Sequence, residues 1–395
     1  MNNIPKFEEE YSSKIPALAL LSNLGWTFLS PKQALQARAN KTNEVVLRDV
    51  LRAELKKRRF MYAGKSYPLS KSAIDKIIKE VCYPALNEGL SAANERFYMH
   101  LLYGISVIEF VNGKKANPTI ALIDWQNVAN NSFLFTEELT VKCSNGIDTR
   151  RPDLVCFVNG LPLVVIEAKR PDGHTNKAPT VEAGISQSLR NQRADEIPYL
   201  FVYNQLILSI SGIDGRYATQ GTATKFWAAW REEDLNDLEL FEVKNKKLNA
   251  VQKNALFDHR KAKERAWYEA LIGGGELAVT EQDKLLIGLL SLDRLFDMIR
   301  LFTFFDSKIG KVVARYHQVF SIKRLLERIN TKNDQGGREG GVIWHTTGSG
   351  KSFTMVLLSK GMFFDNGEII WVLILDTTVL SPINCDWVLL FVIVV

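Results

Sequence analysis

Two apolar runs, 154–158 and 161–168, flank the dipeptide Asn159-Gly160, and the charged residues Arg150, Arg151, Asp153, Glu167, Lys169 and Arg170 all fall at the far ends of those runs. Asn-Gly between apolar runs is the strongest short-range hairpin signal, because both residues accept the positive φ that a tight turn requires. Side chains alternate across a strand, so Glu167 and Lys169 share one face while Ala168 points to the other. The direction of Asp153 depends on register. A strict two-residue loop pairs Asp153 with Ile166 and turns its carboxylate away from Glu167. A three-residue loop, or one bulge, sets Asp153 opposite Glu167, and this second register is the expected one.

Two carboxylates that face each other can hold Mg²⁺, a hard cation that takes oxygen ligands and keeps several waters. Such an ion activates water and offsets charge on a phosphodiester under attack. Asp153 and Glu167 are therefore candidate metal ligands, and Lys169 is placed to polarise the attacking water or stabilise the phosphate oxygens. Arg150, Arg151 and Arg170 would add positive charge around a phosphate backbone. The same three residues also fit a surface ion pair at a strand end, which is common and worth little. Spacing alone leaves both readings open.

The rest of the chain supplies context. With 395 residues, 46% of them hydrophobic and 24% charged, it has material for more than one core and the balance of a soluble globular protein. A net charge of +6 suits a polyanionic partner without establishing one. Cys82, Cys143, Cys156 and Cys385 form no CxxC pair, so neither a disulfide framework nor a zinc site is suggested, and a reducing cytoplasm fits best. The polar, acidic start is no signal peptide. The apolar run 387–395 is about half the roughly 20 residues that span a bilayer, so no membrane segment is expected.

Helices are expected over 15–28 and 44–59, the second with Leu47, Leu51 and Leu55 on one face. Its basic end, Lys56-Lys57-Arg58-Arg59, reads either as a solvated helix terminus or as a phosphate contact. Short β-rich runs follow at 119–125, 133–141, 154–158, 161–168 and 199–202, with a helix over 180–193, which makes a mixed α/β domain. Residues 226–306 read as a helical, charged connector broken at Gly273-Gly274-Gly275.

A second motif lies near the C-terminus. A short apolar strand, 341–345, leads into Thr346-Thr347-Gly348-Ser349-Gly350-Lys351-Ser352, and 353–360 reads as a helix. In that context the backbone from Thr347 to Gly350 would wrap phosphates at a helix N-terminus, Lys351 would reach the β and γ phosphates, and Ser352 would ligand Mg²⁺. The usual first glycine is His345.

The run RRPDLVCFVNGLPLVVIEAKRP resembles the nuclease segment of the R (motor and nuclease) subunits of type I restriction-modification enzymes. Further matches follow in GISQSLRNQ from Gly184, IPYLF from Ile197, DGRY from Asp214 and, near the start, Leu24-Gly25-Trp26. The resemblance covers about the first 230 residues. It implies a PD-(D/E)xK, restriction-endonuclease-like fold with Asp153, Glu167 and Lys169 as its catalytic triad and Gln187 as the glutamine of an accessory QxxxY motif, whose tyrosine position is Asn191 here. In this fold a preceding helix often supplies a further acid, but the nearby position is Lys14, and none is assigned. HTTGSGKS resembles motif I of superfamily 2 helicases, which implies ATP as a cofactor. Arg315-Tyr316-His317-Gln318 resembles the adenine-contacting segment, though Gln318 also fits a polar helix start.

The resemblance thus implies an α/β nuclease domain over 1–240, a helical connector over 241–310 and an incomplete RecA-like ATPase lobe over 311–395. Its implied activity is Mg²⁺-dependent endonucleolytic cleavage of double-stranded DNA, with methylation and specificity subunits as partners. The 44 residues after Lys351 leave no room for later helicase motifs, so a truncated or frame-disrupted subunit with an exposed apolar tail is expected. A catalytically silent module docking on DNA or a methyltransferase, and a non-functional gene product, are the alternatives.

Overall fold

In the computed structural model the described residues are 8–171, 180–331, 341–346, 350–365, 372–376 and 387–394. The hairpin signal forms the centre of a six-stranded sheet. Its strands are β1 (Thr27–Leu29), β2 (Phe133–Glu137), β3 (Leu154–Val158), β4 (Leu161–Ala168), β5 (Leu206–Ile210) and β6 (Gly215–Ala218), in that spatial order. The β1/β2 and β4/β5 pairs are parallel and the others antiparallel. Every residue of β3 and β4 is buried, as expected for apolar strands covered on both faces.

The turn between β3 and β4 has Asn159 at φ 53° and Gly160 at φ 84°, both in the left-handed region that a two-residue hairpin uses. A Cβ on Gly160 would lie 2.6 Å from the Leu47 carbonyl oxygen, so the turn seats directly on the start of the helix α2 (Arg48–Lys57). Next to the turn, Val158 pairs with Leu161 and Phe157 with Pro162, but Cys156 pairs with Val164. Leu163 is the extra residue of a bulge. Pro162 has no N–H to give a ladder, and a bulge is where a sheet tolerates it.

Helices α1 (Ile15–Asn23) and α3 (Leu90–Tyr103) precede the hairpin, while α4 (Thr180–Asn191) and α5 (Pro198–Tyr203) connect β4 to its parallel neighbour β5. The run 199–202, expected as a strand, lies in α5. Pro198 supplies a pre-set φ at the first helical position. Asn94 of α3 then donates to the Phe201, Val202 and Asn204 carbonyls, whose groups a short helix leaves unpaired. The run 119–125 is also a correction: only Thr119–Ile120 is extended, because Asp124 closes a turn by accepting from the Gln126 and Asn127 amides. Helix α1 ends at Asn23, Leu24–Trp26 turn the chain, and β1 begins at Thr27.

The segment 241–310 contributes α6 (Glu281–Leu290) and α7 (Leu292–Arg300) to the same apolar core that surrounds the sheet. Trp26 Nε1 donates to the Leu290 carbonyl at 2.8 Å, and Ser13 Oγ to Gln282 Oε1 at 2.8 Å. Beyond it come α8 (Tyr316–Asn330), β7 (Gly341–Thr346), α9 (Lys351–Asp365), β8 (Val372–Asp376) and β9 (Trp387–Val394). The apolar run expected as an exposed tail is β9, paired antiparallel with β7 on one edge and β8 on the other, so its backbone groups are satisfied on both sides. Among the described residues no helix is long and apolar enough to cross a membrane.

Candidate active site

The bulge decides the geometry of the acidic site. Leu154 pairs with Ile166, and one further step of that register carries Asp153 across from Glu167. The backbone N–H of Ala168 donates to Asp153 Oδ2 at 2.9 Å, which ties the two strand ends together. Lys169 Nζ lies 2.8 Å from the Ala168 carbonyl oxygen, 3.2 Å from Asp153 Oδ2 and 3.9 Å from Glu167 Oε2. One cationic atom thus sits among three oxygens contributed by the two strand ends.

Glu167 has no exposed surface. Burial, and then the neighbouring Asp153 charge, raise its pKa well above the ordinary carboxylate range, with Lys169 opposing. Both its oxygens have amide donors from α4: Gln187 Nε2 at 2.6 Å and Asn191 Nδ2 at 3.4 Å. The residue standing at the accessory tyrosine position therefore reaches the same carboxylate as Gln187. The close approach of α4 requires Gly184, since a Cβ there would collide with Ser209 Oγ on β5, while Glu167 Cβ would lie at ordinary contact distance. Ser209 is the register partner of Glu167 and donates to the Val181 carbonyl at 2.7 Å, which fixes the start of α4 on the sheet.

Glu9, half-buried ahead of Lys14, feels the charges of the acidic site. It is raised in pKa first by burial, with Lys169 lowering and Asp153 raising it, so it lies within electrostatic reach of both. Lys14 stands five positions further on. Burial opposes charge on Lys14, yet Glu137, Glu10 and Glu138 hold its pKa above the ordinary lysine value. Lys14 Nζ is 3.1 Å from Glu137 Oε2 and 2.9 Å from Glu138 Oε1, and Glu138 N donates to the Asp153 carbonyl. Lys14 thus fixes the segment that carries Glu9 beside the acidic site. Two of the expected arginines are committed to acids: Arg150 Nη2 donates to Glu196 Oε1 at 2.9 Å, and Arg151 pairs with Glu138 at 3.3 Å. Arg170 is exposed.

At the second motif, Thr347, Gly348 and Ser349 lie outside the described residues. Gly350 has φ 86°, a left-handed conformation that favours glycine, and Lys351 and Ser352 open α9. Gln318 is buried and uses both ends of its amide within the protein: Oε1 accepts from Arg315 N at 2.9 Å, and Nε2 donates to the Gly350 carbonyl at 3.1 Å. It caps α8 and pins the end of the loop in one stroke. A cavity of about 570 Å³ adjoins it, lined among others by Tyr217, Phe226, Val312, Arg315 and Phe353.

Known proteins share both halves of this arrangement. Residues 6–226 match the family described as type I restriction enzyme R protein N terminus, and residues 317–381 match the SWI2/SNF2 ATPase family. The chain belongs to the type I restriction enzyme R protein family. It is 27% identical over 367 residues to a putative type I restriction enzyme MjaIXP endonuclease subunit of Methanocaldococcus jannaschii, covering 90% of this chain and 31% of that protein. It is 28% identical over 295 residues to the type I restriction enzyme HindI endonuclease subunit of Haemophilus influenzae, covering 73% and 24%. A Staphylococcus aureus type I restriction endonuclease subunit, SauCOLORF180P, is 22% identical over 243 residues, covering 61% and 20%. The chain therefore spans between a fifth and a third of the length of these relatives.

Proposed function

We propose that the chain carries the cutting centre of a type I restriction endonuclease: a PD-(D/E)xK site that hydrolyses phosphodiester bonds of double-stranded DNA with Mg²⁺. The observation that supports it most is the bulged register, which sets Asp153 across from Glu167 with Lys169 Nζ among their oxygens and the Ala168 carbonyl. That donor set is hard oxygen throughout, the kind Mg²⁺ takes. Among the described residues no three acidic, His or Cys side chains stand together as a complete metal cage. Two carboxylates with water and phosphate oxygens completing the shell is the usual magnesium arrangement at a phosphoryl site. Asp153 and Glu167 would hold the ion; when bound, it would lower the pKa of a water and neutralise charge on the phosphate.

The chain's own residues divide the remaining work. Gln187 and Asn191 hold the Glu167 carboxylate in one orientation, as partners behind a metal ligand do. Lys169 supplies fixed positive charge where the phosphate oxygens would gain negative charge. Residues 346–352, with Gln318 fixing the loop at Gly350, form the ATP site of the adjoining ATPase lobe. In this reading the nuclease domain is 1–240, the connector 241–310 and the lobe 311–395, and methylation and specificity subunits are the protein partners.

Nicking of supercoiled plasmid tests the assignment. The wild-type chain converts it to open circles with Mg²⁺ and not with EDTA, and Asp153→Asn and Glu167→Gln lose that activity. Nicking by Asp153→Asn at the wild-type rate would dismiss the site. A wild-type chain that binds DNA but never nicks it would favour a silent docking module.

A further inference from the structure

The basic end of α2 gains a place in the fold that the acidic site does not use. Lys57, Arg58 and Arg59 line a cleft of about 840 Å³ at the turn end of the central hairpin. The facing wall carries Trp125, Gln126 and Asn130, and Arg300, the last residue of α7, closes the cleft. Four cations line it against one carboxylate, Asp124. That carboxylate closes its own turn, accepting from the Gln126 and Asn127 amides and from Asn130 Nδ2, and also stands 3.9 Å from Arg58 Nη1.

The buried turn residue Asn159 supports the lining from behind. Its Nδ2 donates to Asn131 Oδ1 at 2.8 Å and to the Leu122 carbonyl at 2.9 Å, while its Oδ1 accepts from Ser132 N. Asn131 Oδ1 in turn receives Arg58 Nη2 at 3.3 Å, so Arg58 is anchored rather than swinging in solvent. Two polar atoms of this lining, Arg58 Nε and Ser132 Oγ, are buried with no hydrogen-bond partner among the described residues. Both can donate to an acceptor oxygen, and a buried donor left unpaired is destabilising until an acceptor meets it. Lys57 and Arg59 are exposed at the rim.

Four cations, several carboxamides and two unpaired donors outnumber the two acids paired with them, Glu54 with Lys57 at 2.7 Å and Asp124 with Arg58 at 3.9 Å, and describe a site for an oxygen-rich polyanion. We propose that this cleft binds the phosphate backbone of a second, non-scissile stretch of duplex DNA, remote from Asp153 and Glu167. The two sites lie at opposite ends of β4, whose seven steps of about 3.3 Å separate them by roughly 23 Å, more than the width of one duplex groove. The choice of DNA as the polyanion rests on the nuclease reading; the cleft itself does not.

The test is binding of a short fluorescent duplex in EDTA across a salt series, which no cleavage can disturb. Lys57→Glu/Arg59→Glu is expected to weaken binding about tenfold or more and to lower the slope of log K against log salt by about two, one for each lost phosphate contact. Lys57→Gln/Arg59→Gln should move both quantities in the same direction by less, and circular dichroism melts confirm that each variant folds. Lys246→Glu/Lys247→Glu, an equal charge change at exposed positions elsewhere, should leave the slope nearly unchanged. Equal binding by the wild type and both cleft variants, or an equal loss in the Lys246/Lys247 control, would overturn the proposal. Failure of the nuclease reading looks different: the plasmid stays uncut with Mg²⁺ while the binding difference persists.

Discussion

At the acidic site, the meeting of the two acids is set by strand pairing: Asp153 and Glu167 come together because one bulge shifts β3 against β4, and α4 leans on that pair at Gly184 and donates to Glu167 from Gln187 and Asn191. At the loop before α9, by contrast, the described residues are held by a helix cap, with Gln318 tying α8 to the Gly350 carbonyl. A site made by register depends on the count of residues between its members, since one residue more or less turns a side chain to the other face. A site made by a cap depends on one side chain and its local geometry. Substitutions should therefore act differently in the two regions.

The largest effect is expected at Glu167. Glu167→Gln should lower nicking by two to three orders of magnitude, about what loss of one essential electrostatic group costs. The same change should raise stability at neutral pH. The folded-state pKa of Glu167 is raised above its ordinary value, so its carboxylate favours folding less as pH rises through that raised value. Glutamine removes this loss, and the gain should vanish below the ordinary carboxylate range. Thermal melts of both proteins from acid to neutral pH check the sign. A glutamine variant that is less stable at neutral pH would mean that the ionised carboxylate is itself a structural support.

Gly184→Ala is expected next, with a cost of about 1–3 kcal/mol as α4 is forced off β5, together with slower nicking. Urea unfolding measures the first and the plasmid assay the second. Gln187→Ala should keep the fold and reduce nicking by about 10–100-fold, the usual cost of losing a partner behind a metal ligand. Gln318→Ala sharpens the contrast from the other side. It should weaken binding of a fluorescent ATP analogue several-fold and leave nicking of plasmid DNA unchanged, because none of its contacts reaches the acidic site. Coupled loss of both activities would mean that the two regions act as one unit.

What the sequence made legible follows the same division. The hairpin could be read from Asn-Gly between apolar runs and the helix expected over 180–193 forms at 180–191, because each signal lies within a few residues of what it determines; the bulged register agrees with the expected one although a strict Asn-Gly loop would have given the other. The run 199–202 could not, since its helical state depends on Asn94, about a hundred positions away, taking two of its carbonyls and that of Asn204 just beyond it. With that run read as the strand, the true strand β5 at 206–210 was passed over. Glu9 is not marked for a related reason: no local pattern singles out, among acidic neighbours, the glutamate whose pKa responds to Asp153 and Lys169. Arg150 and Arg151 were correctly placed near the site in sequence, but their pairing with Glu196 and Glu138 is a tertiary fact.

The account turns on Lys169, the atom on which the three oxygens converge. The most direct measurement is single-turnover nicking of plasmid DNA with Mg²⁺ by Lys169→Ala, with DNA affinity measured on the same preparation. The structure predicts that nicking falls by on the order of 10³-fold while affinity stays within about twofold of wild type, since one lysine of a charged site contributes far more to transition-state charge than to ground-state binding. Nicking by Lys169→Ala at the wild-type rate would contradict it.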